Sequence, residues 1–568
     1  MTTPMPLPNT RLAASVVPTF AALIEACDTD EALSATRRTN LRSSLKTFCH
    51  KLDRRPADTL ASAGHLRCYL EGVHPVQLGL SVKRWQNILA DVRFALDRFG
   101  PVPVRRLNAA DLTPAWRVLF EALPRNGVRH GLSRFIRFCS TVGIEANAVN
   151  DAVFKRFEAW LDDVEFQKQP ARSTRAAITQ WNKACDQVAG WPGRSVERAP
   201  ARDLYSLAWD AIDPLFRADA EQFLATLGAD AWWNTAAPLR PLRPASIESH
   251  RYKLRSAYSI LTTASAPVIK VTGLADLVDP DNAQRILMFH WDRNGGRQSS
   301  QLAGIAALLL SIARHHVHCN DETLRILQRI KARVTPTRSG LTDKNRTMLR
   351  QFDDPANIGR LLMLPSDLAR EATGLQNRNP RKAALLMQTA VAVEILTMMP
   401  LRISNLAALN TETELSWHGK RLVIAIAPEN VKNDEAIEFV LEGESAALVR
   451  RYLDQHRHLL GPDPEWLFPG AAHGRHKSWE QLARQIKTAV FRVTGLTITP
   501  HQFRHVAGHI WLDDNPGSYD LLRRLLHHRS VDTTTNSYSG FETRRAVEHY
   551  DRLIWQQRAR FMRGTGIR

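Results

Sequence analysis

Apolar positions along this chain fall mostly at intervals of three and four, the spacing that lines one face of an α-helix. VVPTFAALIEAC (16–27) is one apolar-faced run, and TRRTNLRSSLKTFCHKL (36–52) puts Leu41, Leu45 and Phe48 on one stripe. A short helix is expected over HLRCYLEG (65–72). A longer one is expected over KRWQNILADVRFALDRFG (83–100), with Trp85, Ile88, Leu89, Val92 and Leu96 inward and Gly100 as its stop. A similar order returns in GLSRFIRFCSTVGI (131–144), where Phe135, Phe138 and Cys139 fall as Leu45, Phe48 and Cys49 do. DAVFKRFEAWLDD (151–163) and STRAAITQWNKACDQVAG (173–190) complete that set. A weaker third rendering is RYKLRSAYSILTTA (251–264), DNAQRILMFHWD (281–292) and SSQLAGIAALLLSIARHHV (299–317). These read as copies of a small helical module that cannot bury its face alone.

The pattern changes after residue 340. Thr342 is a good N-cap for an amphipathic helix, and RKAALLMQTAVAVEILTMMP (381–400) is a long apolar helix closed by Pro400. RLVIAIAP (421–428) and AIEFVL (436–441) alternate as two strands around ENVKNDE. Helices resume over 445–460 and 478–495, then in TPHQFRHVAGHIWLDD (499–514) and SYDLLRRLLHHRSVDTTTNSY (518–538). A basic amphipathic segment follows at 543–564, with Val547, Leu553, Ile554 and Phe561 on its apolar face. Pro-rich or Gly/Thr/Pro breaks at 236–246 and 335–340, with a Pro/Thr-rich leader at 1–10, divide the chain. The expected domains are 1–110, 111–235, 245–335 and 340–568. The fold class is mostly α and multidomain, ending in an α+β domain with a small antiparallel sheet.

Composition narrows the partner. A formal charge of +19 over 568 residues favours a polyanion, although charge alone does not separate DNA from RNA or anionic lipid. Six cysteines without a CxxC read as reduced thiols in a cytosolic compartment. The N-terminus MTTPMPLPNT lacks the pattern of a signal peptide. LAGIAALLLSIA (302–313) is about half the length of a membrane span. HHVHC (315–319) and the i,i+4 pair His505/His509 lack further ligands at metal-site spacing, so neither metal nor cofactor is expected. Arg37, Arg38, Arg42 and Lys46 form a cationic strip beside an apolar stripe, and Arg134 belongs to a sparser one. Both are candidates for phosphate contact.

The candidate chemistry is concentrated between Leu385 and Tyr538. LRISNLAAL (401–409), Lys432 in the strand–turn–strand, TPHQFRH (499–505) and LLHHRSVDTTTNSYSG (525–540) supply arginines, a lysine, histidines and a tyrosine. Such a set suits a phosphodiester: cations hold non-bridging oxygens, a phenol attacks, and His or Lys moves protons. No Walker lysine or acidic cluster accompanies it, which disfavours a nucleotide hydrolase or a two-metal nuclease. His501 and Arg504, at i and i+3, share one helix face.

These elements, in this order, resemble the catalytic domain of the tyrosine recombinases, the phage-integrase family. The resemblance covers roughly the last 220 residues and implies that helical DNA-binding modules, including a SAM-like core-binding domain at 245–335, precede the tyrosine-recombinase domain. It implies that Arg402 and Arg504 clamp the scissile phosphate, Lys432 protonates the leaving 5′ oxygen, His501 and His528 assist proton transfer, and Tyr538 is the nucleophile. It further implies double-stranded DNA sites as substrate and a tetrameric synaptic complex, with the last helix passed to a neighbour. An accessory or directionality factor, a role in a mobile genetic element and a cytoplasmic, nucleoid-associated location complete the expectation. Three departures stand out. Asn405 replaces the family's usual Glu, His527 its usual Gly, and Tyr538 follows His528 by one residue more than is usual. Alternatives are a type IB topoisomerase-like enzyme, a telomere-resolvase-like enzyme, or a catalytically silent DNA-binding or accessory protein.

Overall fold

The computed structural model describes residues 17–100, 112–125, 127–164, 169–192, 195–197, 205–229, 241–264, 268–336, 340–461, 465–528, 530–538 and 543–565. The leader at 1–10 and parts of both expected breaks, 236–240 and 337–339, lie outside them. The chain divides into two compact units, one of Met1–Glu197 with Ser339–Arg568, the other of Arg198–Arg338.

The first unit opens with α1 (Phe20–Thr29), α2 (Ala35–Lys51), α3 (Ala63–Leu70) and α4 (Val82–Phe99). Helix α1 starts later than the apolar run suggests, because Thr19 has extended backbone and its side chain caps Ala22 N–H. Phe48 stacks between Phe20 and Trp85 at 5.3 and 5.9 Å. Gly100 ends α4 with φ −73°, not with the left-handed turn usual for a stop glycine. What requires glycine there is space, since a Cβ would stand 2.3 Å from the Leu96 carbonyl oxygen. Helices α5 (Pro114–Ala122), α6 (Gly127–Val142), α7 (Asp151–Val164) and α8 (Pro170–Gln187) surround a second cluster. Within it Phe135 and Phe154 stack at 4.1 Å. Phe135, Phe138 and Cys139 are buried, as Leu45, Phe48 and Cys49 are.

The second unit has its own core, formed by α9 (Pro214–Gly228), α10 (Pro244–Ser259), α11 (Leu274–Val278), α12 (Pro280–Arg293), α13 (Ser300–His315) and α14 (Asp321–Val334). Helix α9 precedes the break expected at 236–246, yet its Phe216, Phe223 and Leu224 are buried in this cluster. The apolar run 302–313 lies within α13, and His316 of HHVHC is paired with Asp219 at 2.5 Å. Among the described residues no helix is long and apolar enough to cross a membrane.

The remainder of the first unit runs α15 (Asp343–Leu349), α16 (Pro355–Leu375), α17 (Pro380–Met398), α18 (Ile403–Ala407), β1 (Leu415–His418), β2 (Arg421–Ile426), β3 (Ile437–Leu441), α19 (Gly443–Gln455), α20 (Trp479–Thr494), α21 (Phe503–Asp514), α22 (Tyr519–Leu525), α23 (Val531–Tyr538) and α24 (Thr543–Thr565). The sheet is antiparallel in the order β1-β2-β3, with Ile424 opposite both Leu415 and Phe439. Two elements go beyond the sequence reading. Strand β1 makes the hairpin three-stranded, and α16 occupies what reads as a polar passage, with Leu361, Leu364 and Leu368 buried against α17 and α20. The first module also meets this region: Gln77 Nε2 donates to Gly495 O at 3.1 Å, and the His74 ring lies edge-on to Phe491.

Candidate active site

The buried Arg504 holds the site together. It sits in the first turn of α21, 5% exposed, and its Nη1 donates to Pro400 O at 2.7 Å while Nη2 donates to Leu526 O. One guanidinium therefore pins the corner before Arg402 and the turn that carries His527 and His528. These two bonds use two of its five N–H donors, leaving the others for a further acceptor. Arg402 occupies the N-cap position of α18 and is half-buried. The hairpin bearing Lys432 is tied down at two points. Asn405 Nδ2 donates to Asn430 O at 2.9 Å, and Asn433 Nδ2 donates to His527 O at 2.6 Å.

Tyr538, the last residue of α23, is buried among Leu512, Leu522 and Leu526. Its ring lies over Gly508, where a Cβ would come within 2.6 Å of Cε1. The hydroxyl donates to the carbonyl of Arg504 itself at 3.3 Å. Burial pushes the phenol up to about 12 against the pull of the Arg504 charge. Two histidine rings flank it, His505 at 5.6 Å and His528 at 6.4 Å between centroids. His528 Nδ1 shares a hydrogen bond with the buried Thr534 hydroxyl at 2.9 Å. Asp532 and Thr533, the other members of that turn, have side chains outside the described set.

The site's electrostatics are lopsided. Burial first, then the neighbouring Arg402, holds Arg504 down to about 10. Burial lowers Arg402 as well, with Glu435 opposing. His501 is lowered by burial, then by Arg504, Arg402 and Lys432, so all three cations lie close enough for their charge to act on its ring. Burial first holds His505 and His528 each at about 4, followed by His501 and Arg504 for His505 and by Arg504 and Arg402 for His528. Among the described residues no carboxylate lies within ion-pair distance of Arg402 or Arg504. Buried cations without counter-ions are unfavourable unless an anion completes them. No group of three or more His, Cys, Asp or Glu among the described residues is placed to hold a metal ion.

Residues 375–543 match the family model "Phage integrase family". This stretch is a tyrosine recombinase catalytic domain. No curated protein matches the chain significantly. Among solved structures, the XerH site-specific recombinase bound to difH substrate in a pre-cleavage complex is similar at 14% identity and TM-score 0.38, covering 62% of this chain and 98% of that one. A post-cleavage XerH complex with palindromic difH gives 14% identity and TM-score 0.37, covering 55% and 80%. The XerA recombinase gives 16% identity and TM-score 0.24, covering 59% and 98%.

The departures of the recombinase domain acquire physical roles. Asn405, in place of the expected Glu, uses its amide to anchor the hairpin backbone. His527 adopts φ 48°, the left-handed conformation that a glycine takes without strain, and its carbonyl accepts from Asn433. The cationic strip of α2 is less open than its sequence suggests. Arg37 is paired with Asp91 at 2.7 Å, Arg38 reaches Asp30 O, and Arg42 faces Asp28 at 3.5 Å. Lys46 is exposed, and Arg134 is half-buried on α6. On α24, Tyr550, Leu553, Trp555 and Phe561 are exposed, whereas the side chain of Val547 lies outside the described set. Sequence reasoning missed Asn345, Gly508 and the part played by His505. No local spacing links Asn345 to α21, and a glycine inside a helix was the one available signal for Gly508.

Proposed function

We propose that the protein is a site-specific DNA recombinase that cuts and rejoins strands through a 3′-phosphotyrosyl intermediate. The observation that carries this reading is the Tyr538 hydroxyl bonded to the backbone carbonyl of Arg504 and within the field of its guanidinium, where no carboxylate among the described residues forms an ion pair with Arg402 or Arg504. Arg402 and Arg504 would neutralise charge growing on the non-bridging oxygens of the scissile phosphate. The Tyr538 oxygen leaves the Arg504 carbonyl and attacks phosphorus in line as the bond to the 5′ oxygen breaks. The phenol proton passes to His501 or His528, both neutral and therefore able to accept it. Lys432, exposed on its hairpin, gives a proton to the departing 5′ oxygen. A 5′ hydroxyl from a second duplex then reverses the step. Because the phosphotyrosyl link conserves the bond, no ATP is consumed.

On this reading, the helical modules before residue 340 hold DNA and four protomers assemble on two duplexes, within a mobile genetic element. The test is covalent trapping on a nicked duplex taken from DNA flanking the protein's own gene. A wild-type protein that forms an adduct which Tyr538→Phe lacks supports the reading, and an adduct in Tyr538→Phe refutes the nucleophile. Supercoil relaxation without recombinant products would favour the topoisomerase-like alternative. Binding without any adduct would favour the silent DNA-binding one.

A further inference from the structure

Helix α21 carries a histidine that the chemistry above leaves unassigned. The ring of His505 lies 5.8 Å from that of His501 and 5.6 Å from that of Tyr538. Its Nε2 is 3.0 Å from Asn345 Nδ2, and its Nδ1 is buried with no hydrogen-bond partner.

The position of its proton follows from a chain of hydrogen bonds. The backbone N–H of Thr499 can only donate, and it donates to Gln502 Oε1 at 2.9 Å. The other end of that amide, Nε2, therefore donates to Asn345 Oδ1 at 3.2 Å. This orients Asn345, so its Nδ2 donates to His505 Nε2. An imidazole nitrogen that accepts carries no proton, so in the neutral ring the proton sits on Nδ1. Burial, His501 and Arg504 keep the ring neutral. The outcome is a buried N–H without an acceptor, on a ring whose centroid lies 5.6 Å from that of Tyr538. Leaving such a donor unpaired is unfavourable, and a backbone-anchored relay maintains it in one orientation.

We propose that His505 is a fixed hydrogen-bond donor to an anionic oxygen in the reaction centre, either the Tyr538 phenolate as it forms or a non-bridging oxygen of the scissile phosphate. It rests on the strand-cleavage reading and adds to it a neutral donor that cannot act as a base through Nδ1. Asn345, Gln502 and Thr499 are positioning residues that act through His505.

Two substitutions separate this role from packing. In His505→Asn the amide stands where Nδ1 stood and keeps a donor there. In His505→Gln the amide stands where Nε2 stood, so Asn345 keeps its partner while the reaction centre loses its donor. We expect His505→Gln to slow adduct formation about 100-fold, with unfolding and DNA affinity unchanged, and His505→Asn to retain most of the rate. The reverse order, Gln near wild type and Asn impaired, overturns the proposal. A phenolate acceptor shows as an alkaline shift of the rate–pH profile in His505→Gln, and a phosphate acceptor as slowing without that shift. In the 15N-histidine-labelled full chain, His505 should show the Nδ1–H tautomer, and an Nε2–H tautomer overturns the proposal whatever the kinetics. A wild type that forms no adduct overturns the strand-cleavage reading instead, and the tautomer still judges the donor.

Discussion

Replacing Gly508 by alanine would press a methyl group into the face of the Tyr538 ring. The new carbon would lie 2.6 Å from Cε1, 2.8 Å from Cδ1 and 3.2 Å from Cζ. Non-bonded carbons rest about 3.5–4.0 Å apart, so the ring must shift by roughly 1 Å. It has little room to do so, because Leu512, Leu522 and Leu526 pack with it. The 3.3 Å bond from its hydroxyl to Arg504 O is already long and breaks first. Overpacking costs about 1–3 kcal/mol, and alanine in place of a helical glycine recovers about 0.5–1 kcal/mol. The net loss of stability is therefore small, roughly 0–2.5 kcal/mol. The chemistry is more sensitive, since a misplacement of about 1 Å lowers a rate on the order of 100-fold. Single-turnover adduct formation on a nicked duplex, measured beside urea unfolding, reads both quantities. A Gly508→Ala protein that is as stable as wild type and forms adduct at the wild-type rate would refute the argument, because the Tyr538 pocket would then not set the position of the nucleophile.

Other outcomes follow from the same geometry. Arg402→Lys keeps a charge but loses the fork, and should slow adduct formation about 100–1000-fold. Arg504→Lys should do the same and also lower the urea midpoint, because the Pro400 and Leu526 carbonyls lose a shared partner, at about 1–3 kcal/mol for each one left unsatisfied. The histidines give a pH dependence. His505 and His528 sit near 4 in the folded chain, below the ordinary 6.5, so the unfolded chain binds protons first. Their contribution to stability is intact above about pH 6.5, declines as the pH falls through that window, and is lost near pH 4. Denaturation curves across the range check this, and His528→Gln should flatten them. In the first module, if Lys46 contacts a phosphate, Lys46→Ala should reduce the salt slope of DNA binding by about 0.9. Arg37→Ala should instead lower stability and leave that slope unchanged, because Arg37 serves Asp91.

The parts of the fold that could be read from sequence are those in which local spacing and tertiary burial agree. The stripes Leu41–Leu45–Phe48 and Trp85–Leu89–Val92–Leu96 became the buried faces of α2 and α4, and the run 381–400 became the buried α17. Helix α16 was not legible because Pro355 and Pro365 break the expected helical composition, although Pro355 is at the helix start, where a missing N–H costs nothing. Strand β1 is too short for its alternation to stand out before β2 pairs with it. The Arg37–Asp91 pair joins two helices, so the sequence displays an open cationic strip where the fold has partly compensated it. The candidate site divides in the same way. His501, in the 3₁₀ turn Pro500–Gln502 that leads into α21, and Arg504, in the first turn of α21, are three residues apart and could be read together. The dependence of His505 on Asn345, far away in sequence, exists only after α15 and α21 have packed.

Arg504 links fold to chemistry in a way that constrains how the site can work. Its side chain binds the carbonyls of Pro400 and Leu526, while its own backbone carbonyl receives the Tyr538 hydroxyl. A displacement of α21 is therefore felt at the Arg402 corner, at the His527–His528 turn and at Tyr538 together. A phosphate entering the cluster would accept from the remaining guanidinium donors and draw the hydroxyl off the Arg504 carbonyl, because the positive charge of Arg402 and Arg504 favours an anion there. On the proposed reading, the Arg504 carbonyl holds the Tyr538 hydroxyl until a phosphodiester reaches the cations, and the same phosphodiester then releases the hydroxyl to attack.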